Sequence, residues 1–551
     1  MSRDDRTARA SRPHDYVVVG AGSAGAALAG RLSADPAVSV LLLEAGPKDT
    51  KTEIHIPAAF SKLFRSEVDW DYDTEPQEHL GGRRVFWPRG KVLGGSSSIN
   101  AMMWVRGFPE DYDAWGEAAG AGWSWEGLRP YFERVERVAP GVDRDNEDET
   151  GRTGTVHVQD QRSPRPATRA YLQAAEQAGL PVVPGNGRDQ RGFSRTQVSQ
   201  RGGSRFSTAD AYLKPARRRP NLTVVTDAQA TRVVFDGTRA VGVEYVQGGA
   251  TRVAQARREV VLSGGAVNTP QLLMLSGVGD RDELEGLGIP VVAHSPEVGK
   301  NLRDHLMALL VVGAREDTLH LAEKPRELAA YLTRKRGMLT SNVGEAYGFV
   351  STDPAVDLPD VELIFAPVGF VGEGLVAHDG HAVTLGAILV QPESTGTISL
   401  ASADPLEKPL IDPRYLSDPA GKDRAALLAG LGVCEELLVT PALRAVTTGA
   451  FVQPARGEEV TRAERDEIAL VDHAHTLYHP VGTARMGSDG AAVVDEELRV
   501  RGVTGLRVAD ASVMPTIIRG HTNAPAIVIG EKAADLLLGV AAAPRAVGAQ
   551  R

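Results

Sequence analysis

The sequence predicts a mixed α/β fold with two sheets, each assembled from distant parts of the chain. A β-branched run passes through a glycine-rich turn into an alanine-rich helix within "DYVVVGAGSAGAALAGRL", residues 15–32. Two more strand–turn–helix patterns lie at residues 258–279 and 505–538. Residues from about 307 to 470 alternate short strands with helices and carry no glycine signature, which predicts a second sheet.

The length and composition of the chain limit the class of protein to which it can belong. A chain of 551 residues is too long for one ordinary core, so two domains are expected. A net charge of −10 offers no basic field for a nucleic-acid backbone, and nucleic-acid binding is not expected. Cys434 is the only cysteine, which excludes an intrachain disulfide, and its apolar neighbours predict a packed core thiol.

The N-terminal segment "MSRDDRTARASRPHD" is polar and lacks the apolar region of a signal peptide. No later stretch approaches the ~18 uninterrupted apolar residues of a membrane span. The sequence therefore predicts a cytoplasmic protein without a membrane span.

The first glycine-rich turn has the pattern Gly20-x-Gly22-x-x-Gly25, which places a pyrophosphate at a helix N-terminus. Gly20 permits the tight turn, Gly22 lets the backbone approach the phosphates, and Gly25 lets the helix pack closely on the strand. The next buried run, "VSVLLLEAG", ends in Glu44, whose carboxylate can accept hydrogen bonds from ribose hydroxyls. This pattern predicts an adenine-dinucleotide site, and by itself it leaves both NAD and FAD open.

A second glycine-rich loop, "WPRGKVLGGSSSINAMMWVRG", spans residues 87–107. Backbone N–H groups and hydroxyls at Gly94, Gly95 and Ser96 could surround another part of a long cofactor, and Asn100 adds an amide. Taken alone, this stretch is either a flexible loop or a cofactor-binding loop. A second phosphate- or flavin-sized site in the same chain favours the cofactor.

The two remaining strand–turn–helix patterns predict further parts of the same sheet edge. In "REVVLSGGAVNTPQLLMLSGVG" a helix is expected to begin near Asn268, with Pro270 in its first turn. In "GLRVADASVMP" a strand is expected to end in Asp510. The helix that follows is expected to begin at Asn523. An acidic residue at the carboxyl edge of a parallel sheet is well placed to bind a hydroxyl group of a cofactor. The dinucleotide-binding domain is therefore expected to combine both ends of the chain.

Together these motifs resemble the glucose–methanol–choline (GMC) family of FAD-dependent oxidoreductases over about residues 14–538. The resemblance rests on the first glycine pattern with Glu44, on "GKVLGGSSSIN" and "GGAVNTPQLLMLSGVG", and on "YHPVGTARMG" with "GLRVADASVMPTIIRGHTNAP". It implies a Rossmann-like FAD-binding domain and a substrate domain with an antiparallel sheet, as in p-hydroxybenzoate hydroxylase-type flavoproteins. The implied segments are 14–155, 201–306 and 471–540 for the FAD domain, 156–200 and 307–470 for the substrate domain, and 541–551 for a tail.

The resemblance also implies which residues hold FAD. The expected cofactor-binding residues are Gly20, Gly22, Gly25, Glu44, Gly94, Gly95, Ser96, Asn100, Ala101, Met102, Ala230, Asp510, Ala511 and Asn523. Ala230 stands where the family usually has a valine whose backbone meets adenine, and a backbone contact survives that change. Some members attach FAD through a histidine just before the loop asparagine. This chain has Ile99 there, so non-covalent FAD is expected.

Oxidising an alcohol to a carbonyl requires a base near the hydroxyl and a hydride acceptor near the C–H bond. The resemblance implies that His479 is the general base and that His521 orients the alcohol oxygen, although the two roles could be exchanged. Tyr478 lines the substrate cavity or is a packed aromatic residue. His473 and His475 lie close to His479 in sequence, but the stretch from His473 to His479 contains no acidic residue, so no metal site is expected.

The predicted function is FAD-dependent oxidation of a small-molecule alcohol to a carbonyl, with hydride transfer to flavin N5. The electron acceptor is O₂ or a quinone-like molecule, and the sequence predicts no oligomeric state. One alternative is a non-redox, FAD-containing lyase of the same fold, similar to hydroxynitrile lyases. Another is an NAD-dependent dehydrogenase, which leaves the 87–107 loop and Asp510 without a role.

Overall fold

The computed structural model describes residues 12–142, 153–353, 355–455 and 460–540, and the predicted tail 541–551 lies outside them. The predicted mixed α/β fold is confirmed. The α-helices of six or more residues are Ser23–Leu32, Pro109–Ala119, Trp125–Val135, Pro166–Gln177, Gly265–Leu275, Arg281–Gly286, Pro325–Arg334, Lys422–Leu438, Pro441–Val446, Arg462–Val471 and Asn523–Leu538.

The first sheet has a parallel part whose strands are drawn from both ends of the chain. Its order is Leu222–Val225, Val40–Leu43, His14–Val19 and Ala250–Leu262, and the short strand Leu506–Val508 pairs with the end of the last of these. The strands from the first fifty residues are buried along their whole length. This burial explains their nearly continuous apolar sequences, because helices and loops cover both faces of a parallel sheet.

The parallel strands end at one edge, where their following residues meet. Val19 pairs with Leu43 on one side and with Leu262 on the other, and Leu262 pairs with Val508. The turns that begin at Gly20, Glu44, Ser263 and Ala509 therefore lie side by side.

An antiparallel extension continues the first sheet away from this edge. The thirteen-residue strand Ala250–Leu262 pairs with Arg239–Gln247, which pairs in turn with Ala228–Asp236. Only the carboxyl end of the long strand enters the parallel part. One strand thus joins the two parts of the sheet.

The second sheet is antiparallel. Its order is Thr447–Gln453, Leu306–Ala314, Ala382–Leu389, Val361–Ala366, Ala346–Val350 and Phe193–Arg195, and His475–Thr476 pairs with the start of the second of these strands. The domain boundaries given above remain predictions.

Side chains alternate across the second sheet along Leu306–Ala314. Leu306, Ala308 and Leu310 belong to a core that also contains Cys434 of the helix Lys422–Leu438. Met307 and Leu309 point to the opposite face, where they line a cavity. This two-residue period gives the sheet a helix-covered face and a cavity-facing face.

One helix boundary differs from the prediction. The helix expected to begin near Asn268 begins at Gly265, so Pro270 lies in its second turn. The N–H of Gly265 donates to Asp510 Oδ2 at 2.8 Å, and this tie to the C-terminal strand holds the helix start at the glycine pair. Across the described ranges, no helix is long and apolar enough to cross a membrane.

Candidate active site

A cavity of about 300 Å³ extends from the carboxyl edge of the first sheet to the inner face of the second. The predicted site residues that line it are Gly20, Gly22, Glu44, Gly95, Ser96, Asn100, Ala101, Met102, Ala230, Tyr478, His479, Asp510, Ala511, His521 and Asn523. Two predicted residues, Gly25 and Gly94, are not in the lining. Segments separated by hundreds of residues therefore meet around one space.

The two glycine-rich turns touch each other at one end of this cavity. A Cβ on Gly95 would lie 2.6 Å from the Cα of Gly22, so a side chain there would drive the turns apart. Gly20 has φ +97°, and a Cβ on it would meet the Ser263 carbonyl oxygen at 2.3 Å. Gly25 acts by packing, because a Cβ would lie 1.9 Å from the Gly20 oxygen. Because these glycines carry no Cβ, the backbone of the two turns is open to close approach by an anion.

Glu44 is buried beside these turns and lines the cavity. Its carboxylate accepts hydrogen bonds from the N–H groups of Ala21 and Gly46, each at 2.9 Å. Burial raises the pKa of Glu44 to about 7, although the two N–H donors oppose that shift. The carboxylate is thus oriented by the backbone at the end of its strand.

The second glycine loop is held by its own polar groups. The Asn100 side-chain oxygen accepts from the N–H of Met102 at 3.0 Å and from Arg205 at 2.7 Å. The Ser96 hydroxyl accepts from the N–H of Gly90 at 3.2 Å. These bonds fix the loop against the cavity.

The C-terminal turn is anchored by Asp510. Its two oxygens accept from the N–H of Gly265, from the Thr269 hydroxyl at 2.6 Å, and from both the N–H and the hydroxyl of Ser512. Four donors therefore surround this buried carboxylate. Asn523, at the start of the last helix, accepts from the Ser23 hydroxyl at 2.7 Å and ties that helix to the first one.

His479 lies in a tightly held turn. The preceding residue, Tyr478, has φ +70°, an unfavourable conformation for a residue with a side chain. Both ends of the peptide bond between these residues are bound: Arg89 donates to the Tyr478 carbonyl at 2.6 Å, and the His479 N–H donates to Asp304 Oδ1 at 2.8 Å. These contacts fix the direction in which the imidazole leaves the chain.

Two other histidines surround the His479 ring. The His521 ring centre lies 4.8 Å away, and the two rings cross at 75°. Nδ1 of the fully buried His305 lies 3.0 Å from His479 Nδ1. Burial is the main cause that lowers the pKa of His479 well below its ordinary value, and the basic groups of His521, His305 and Arg89 around it act in the same direction.

His521 is held by a buried carboxyl group. Its Nε2 lies 3.1 Å from Glu362 Oε1, and Glu362, on the second sheet, is fully buried. Because Glu362 occupies Nε2, Nδ1 is the ring nitrogen of His521 that remains for a bound molecule.

Tyr478 packs against the cavity wall. Its ring lies 5.7 Å from the ring of Phe64, and its hydroxyl is buried without a hydrogen-bond partner in the part of the chain that the structure describes. Tyr478 therefore lines the cavity and is also a packed aromatic residue, and its contact with a substrate stays a prediction.

Arg89 and Thr384 also line the cavity. The rest of the wall around the histidines is apolar. It is formed by Phe60, Phe64, Met103, Met307, Leu309, Val343, Ile364, Ala366, Phe370 and Leu477. Among the described residues of the lining, the only carboxylates are Glu44 and Asp510, which belong to the edge of the first sheet.

Sequence reasoning missed four residues that contact the histidine pair or its turn: Arg89, Asp304, His305 and Glu362. Glu362 lies 159 residues from His521 in sequence, so no local motif joins them. One signal was present at His305: an acidic residue and a histidine stand directly before the apolar strand Leu306–Ala314. A titratable pair at the entry of a buried strand is costly unless it is bonded.

His475 does not form a metal site with its neighbours. Its ring is buried, and Nδ1 lies 3.0 Å from the carbonyl of Thr476. Within the described ranges, no three His, Cys, Asp or Glu side chains are grouped so that they could hold a metal ion.

Comparison with known proteins identifies the family. The GMC oxidoreductase N-terminal model matches residues 14–307 and the C-terminal model matches residues 392–530. The chain therefore belongs to the GMC oxidoreductase family, and it is an oxidoreductase that acts on CH–OH donors and binds FAD.

Several relatives cover nearly the whole chain. An uncharacterized GMC-type oxidoreductase of Mycobacterium tuberculosis is 59% identical over 95% of this chain and 99% of its own length. An alcohol dehydrogenase [acceptor] of Pseudomonas putida is 43% identical over 95% of this chain and 96% of its own. The crystal structure of pyridoxine 4-oxidase from Mesorbium loti is similar with a TM-score of 0.85 and 31% identity, over 96% of this chain and 100% of its own. The lyase alternative is not supported.

The cavity fits FAD in its shape and donors. The glycine turns form a backbone-lined cradle that a Cβ would fill, and Glu44 stands beside it. The cavity then continues along Ser96, Asn100 and Asp510 to the histidines. Ile99 lines the cavity where a covalently attached cofactor would need a histidine, and non-covalent attachment stays a prediction.

Proposed function

We propose that this protein oxidises an uncharged, apolar alcohol to a carbonyl compound, with His479 as the base and His521 as the group that holds the alcohol oxygen. One observation carries the proposal: the two imidazoles cross at a centre distance of 4.8 Å on the wall of the cavity that the glycine turns also line. The relatives named for alcohol oxidation support the reaction class.

His479 is suited to accept the hydroxyl proton. A base must be unprotonated when the substrate arrives, and burial keeps the pKa of this imidazole low. Nδ1 is directed to His305, so Nε2 is the nitrogen that remains for the substrate. The bound peptide between Tyr478 and His479 limits ring movement, which favours one approach of the hydroxyl.

His521 complements this base. In the proposal it is protonated and donates from Nδ1 to the alcohol oxygen while the Glu362 carboxylate balances its charge at Nε2. As the hydroxyl proton moves to His479, negative charge develops on that oxygen. A donor already aligned in a water-poor cavity stabilises this charge more than bulk water would.

When bound, FAD supplies the acceptor for the hydride that leaves the carbinol carbon. The chain's own contribution is to place the alcohol and to exclude water. The apolar wall that includes Phe64, Met307 and Ile364 covers the carbon part of a substrate. The electron acceptor in turnover, O₂ or a quinone-like molecule, remains a prediction.

The apolar wall also favours a class of substrate. Around the histidine pair, the described lining has no carboxylate that faces the cavity. Glu362 lies outside the lining and binds His521. A cationic alcohol would therefore lose its hydration without gaining a counter-charge. An aliphatic or aromatic alcohol gains burial at no such cost.

The test is the His479→Ala variant, mixed anaerobically with a medium-length primary alcohol. We expect it to keep its yellow FAD and to lose 10²–10⁴-fold in the rate of flavin bleaching, the usual contribution of a positioned base. His79→Ala, at an exposed histidine outside the cavity, is the matched control. Bleaching within threefold of the wild-type rate in His479→Ala would remove His479 from its role.

A further inference from the structure

His305 lies directly behind His479 and is out of reach of a substrate. It is fully buried, it does not line the cavity, and its ring centre is 5.1 Å from that of His479 with the planes at 77°. The closest polar atoms of the two rings are the Nδ1 atoms, 3.0 Å apart. Any effect of His305 on the substrate must therefore pass through His479.

Backbone hydrogen bonds also hold His305 and His479 next to each other. Asp304 binds the N–H of His479 at 2.8 Å, and the carbonyl of His305 accepts the N–H of Leu477, also at 2.8 Å. The strand that follows His305 pairs with His475 and Thr476. The dipeptide Asp304–His305 thus holds both the main chain and the ring of His479.

Two ring nitrogens at 3.0 Å share one proton, because one must donate and the other must accept. Both rings are neutral in this setting: burial lowers the pKa of His305 to about 3, and the pKa of His479 is also strongly lowered. Two arrangements remain. Either His305 donates from Nδ1 and leaves His479 with its proton on Nε2, or His479 donates and keeps Nε2 free.

The surroundings of His305 decide between them. The acceptors beside its ring are the carbonyls of Val390 and Ile518, which oppose the lowering of its pKa, as acceptors of a ring N–H do. A carbonyl oxygen cannot donate. No donor faces Nε2, which is buried and lies beyond hydrogen-bond distance of any partner among the described residues, and we therefore assign the proton of His305 to Nε2. Its Nδ1 is left as an acceptor.

We propose that His305 is a positioning residue that accepts the Nδ1–H of His479 and so holds the base with Nε2 unprotonated and directed to the cavity. This inference rests on the proposed function of His479. When the hydroxyl proton moves to His479 Nε2, the ring becomes an imidazolium that still donates from Nδ1 to His305.

The first test needs no variant. Histidine labelled with ¹⁵N distinguishes a protonated from an unprotonated ring nitrogen by chemical shift, and the His479 signals are those that disappear in His479→Ala. We expect protonated Nδ1 and unprotonated Nε2 in the wild-type protein at neutral pH, with and without FAD. A proton on Nε2 of neutral His479 would overturn the inference.

The second test compares two substitutions of His305. In His305→Asn the amide oxygen replaces Nδ1 as an acceptor, whereas His305→Leu removes the acceptor from a space of similar size. We expect the Leu variant to lose tenfold or more in the limiting rate of anaerobic flavin reduction, with little change in KM and with altered His479 shifts. The Asn variant should stay within threefold of the wild-type rate.

Equal rates in the Leu variant and the wild type, or an Asn variant as slow as the Leu variant, would contradict the role of His305. These results differ from a failure of the proposed function. If His479→Ala itself reduces flavin at the wild-type rate, the base is elsewhere. If His479→Ala is inactive while His305→Leu is fully active, only the positioning role is wrong.

Discussion

Glu362 and His521 form a buried pair, with Oε1 of the glutamate 3.1 Å from Nε2 of the histidine. Glu362 lies on the second sheet, and His521 lies just before the last helix, which packs on the helix Ser23–Leu32 of the glycine-rich turn. The pair therefore joins the two parts of the molecule at the cavity. Oε2 of Glu362 has no hydrogen-bond partner among the described residues. The contact with His521 is therefore the main interaction that stabilises the buried Glu362 side chain.

Replacing this carboxylate should weaken catalysis without removing the cofactor. Glu362→Gln keeps the size of the side chain but loses the charge that supports a protonated His521. We expect the limiting rate of anaerobic flavin reduction to fall by about ten- to a hundredfold, by analogy with the carboxylates that orient metal-binding histidines. Stopped-flow absorbance measures the rate, and Glu393→Gln, at an exposed glutamate, serves as the control. An unchanged rate would mean that His521 acts without Glu362.

The pH dependence of flavin reduction should follow His479. Protonation of the base in acid removes activity, and burial with the nearby His521, His305 and Arg89 moves this protonation below the ordinary value of 6.5. We expect the acid limb of kcat/KM for reduction by an alcohol to lie below pH 6.5. An acid limb centred above pH 7 would contradict a buried neutral base.

Glu44 should govern FAD retention and leave the histidine chemistry intact. Hydrogen bonds to a charged acceptor contribute about 1.5–3 kcal/mol each, so Glu44→Ala should weaken FAD binding by about tenfold or more. Titration of the FAD-free protein measures the affinity, and its thermal melt shows whether folding is affected. Asp236→Ala, at an exposed acidic strand end of the same sheet, is the control. Unchanged affinity would argue against the ribose contact.

The apolar wall should be visible in a series of straight-chain primary alcohols. Each buried methylene contributes about 0.8 kcal/mol, so kcat/KM should rise by about fourfold per added carbon until the wall is covered. Choline, which carries a permanent positive charge, should be a poor substrate. A flat series, or choline as the best substrate, would show that the wall does not select for apolar groups.

The sequence predicted those parts of the site in which neighbouring residues act together. Gly20, Gly22 and Glu44 belong to two consecutive strand ends, and their spacing carried enough information to place them at one sheet edge. The role of His479 was predicted from the resemblance of its turn, with its proline and glycine, to the family motif, and it stays a prediction. The fold class followed from the same local patterns.

The remaining parts depend on pairing across long separations. His305 and His479 are 174 residues apart and meet because the strand Leu306–Ala314 pairs with His475–Thr476, a register that no local pattern shows. The start of the helix at Gly265 was misplaced for a similar reason. The carboxylate that fixes it, Asp510, lies 245 residues away.

The most direct measurement of the central claim is an anaerobic titration of the FAD-loaded protein with a medium-length primary alcohol, in which the visible spectrum and the carbonyl product are followed together. The account predicts that the yellow flavin bleaches and that one carbonyl forms for each flavin reduced. A spectrum that no alcohol of a broad panel changes, although dithionite bleaches it, would contradict the assignment of this cavity to alcohol oxidation.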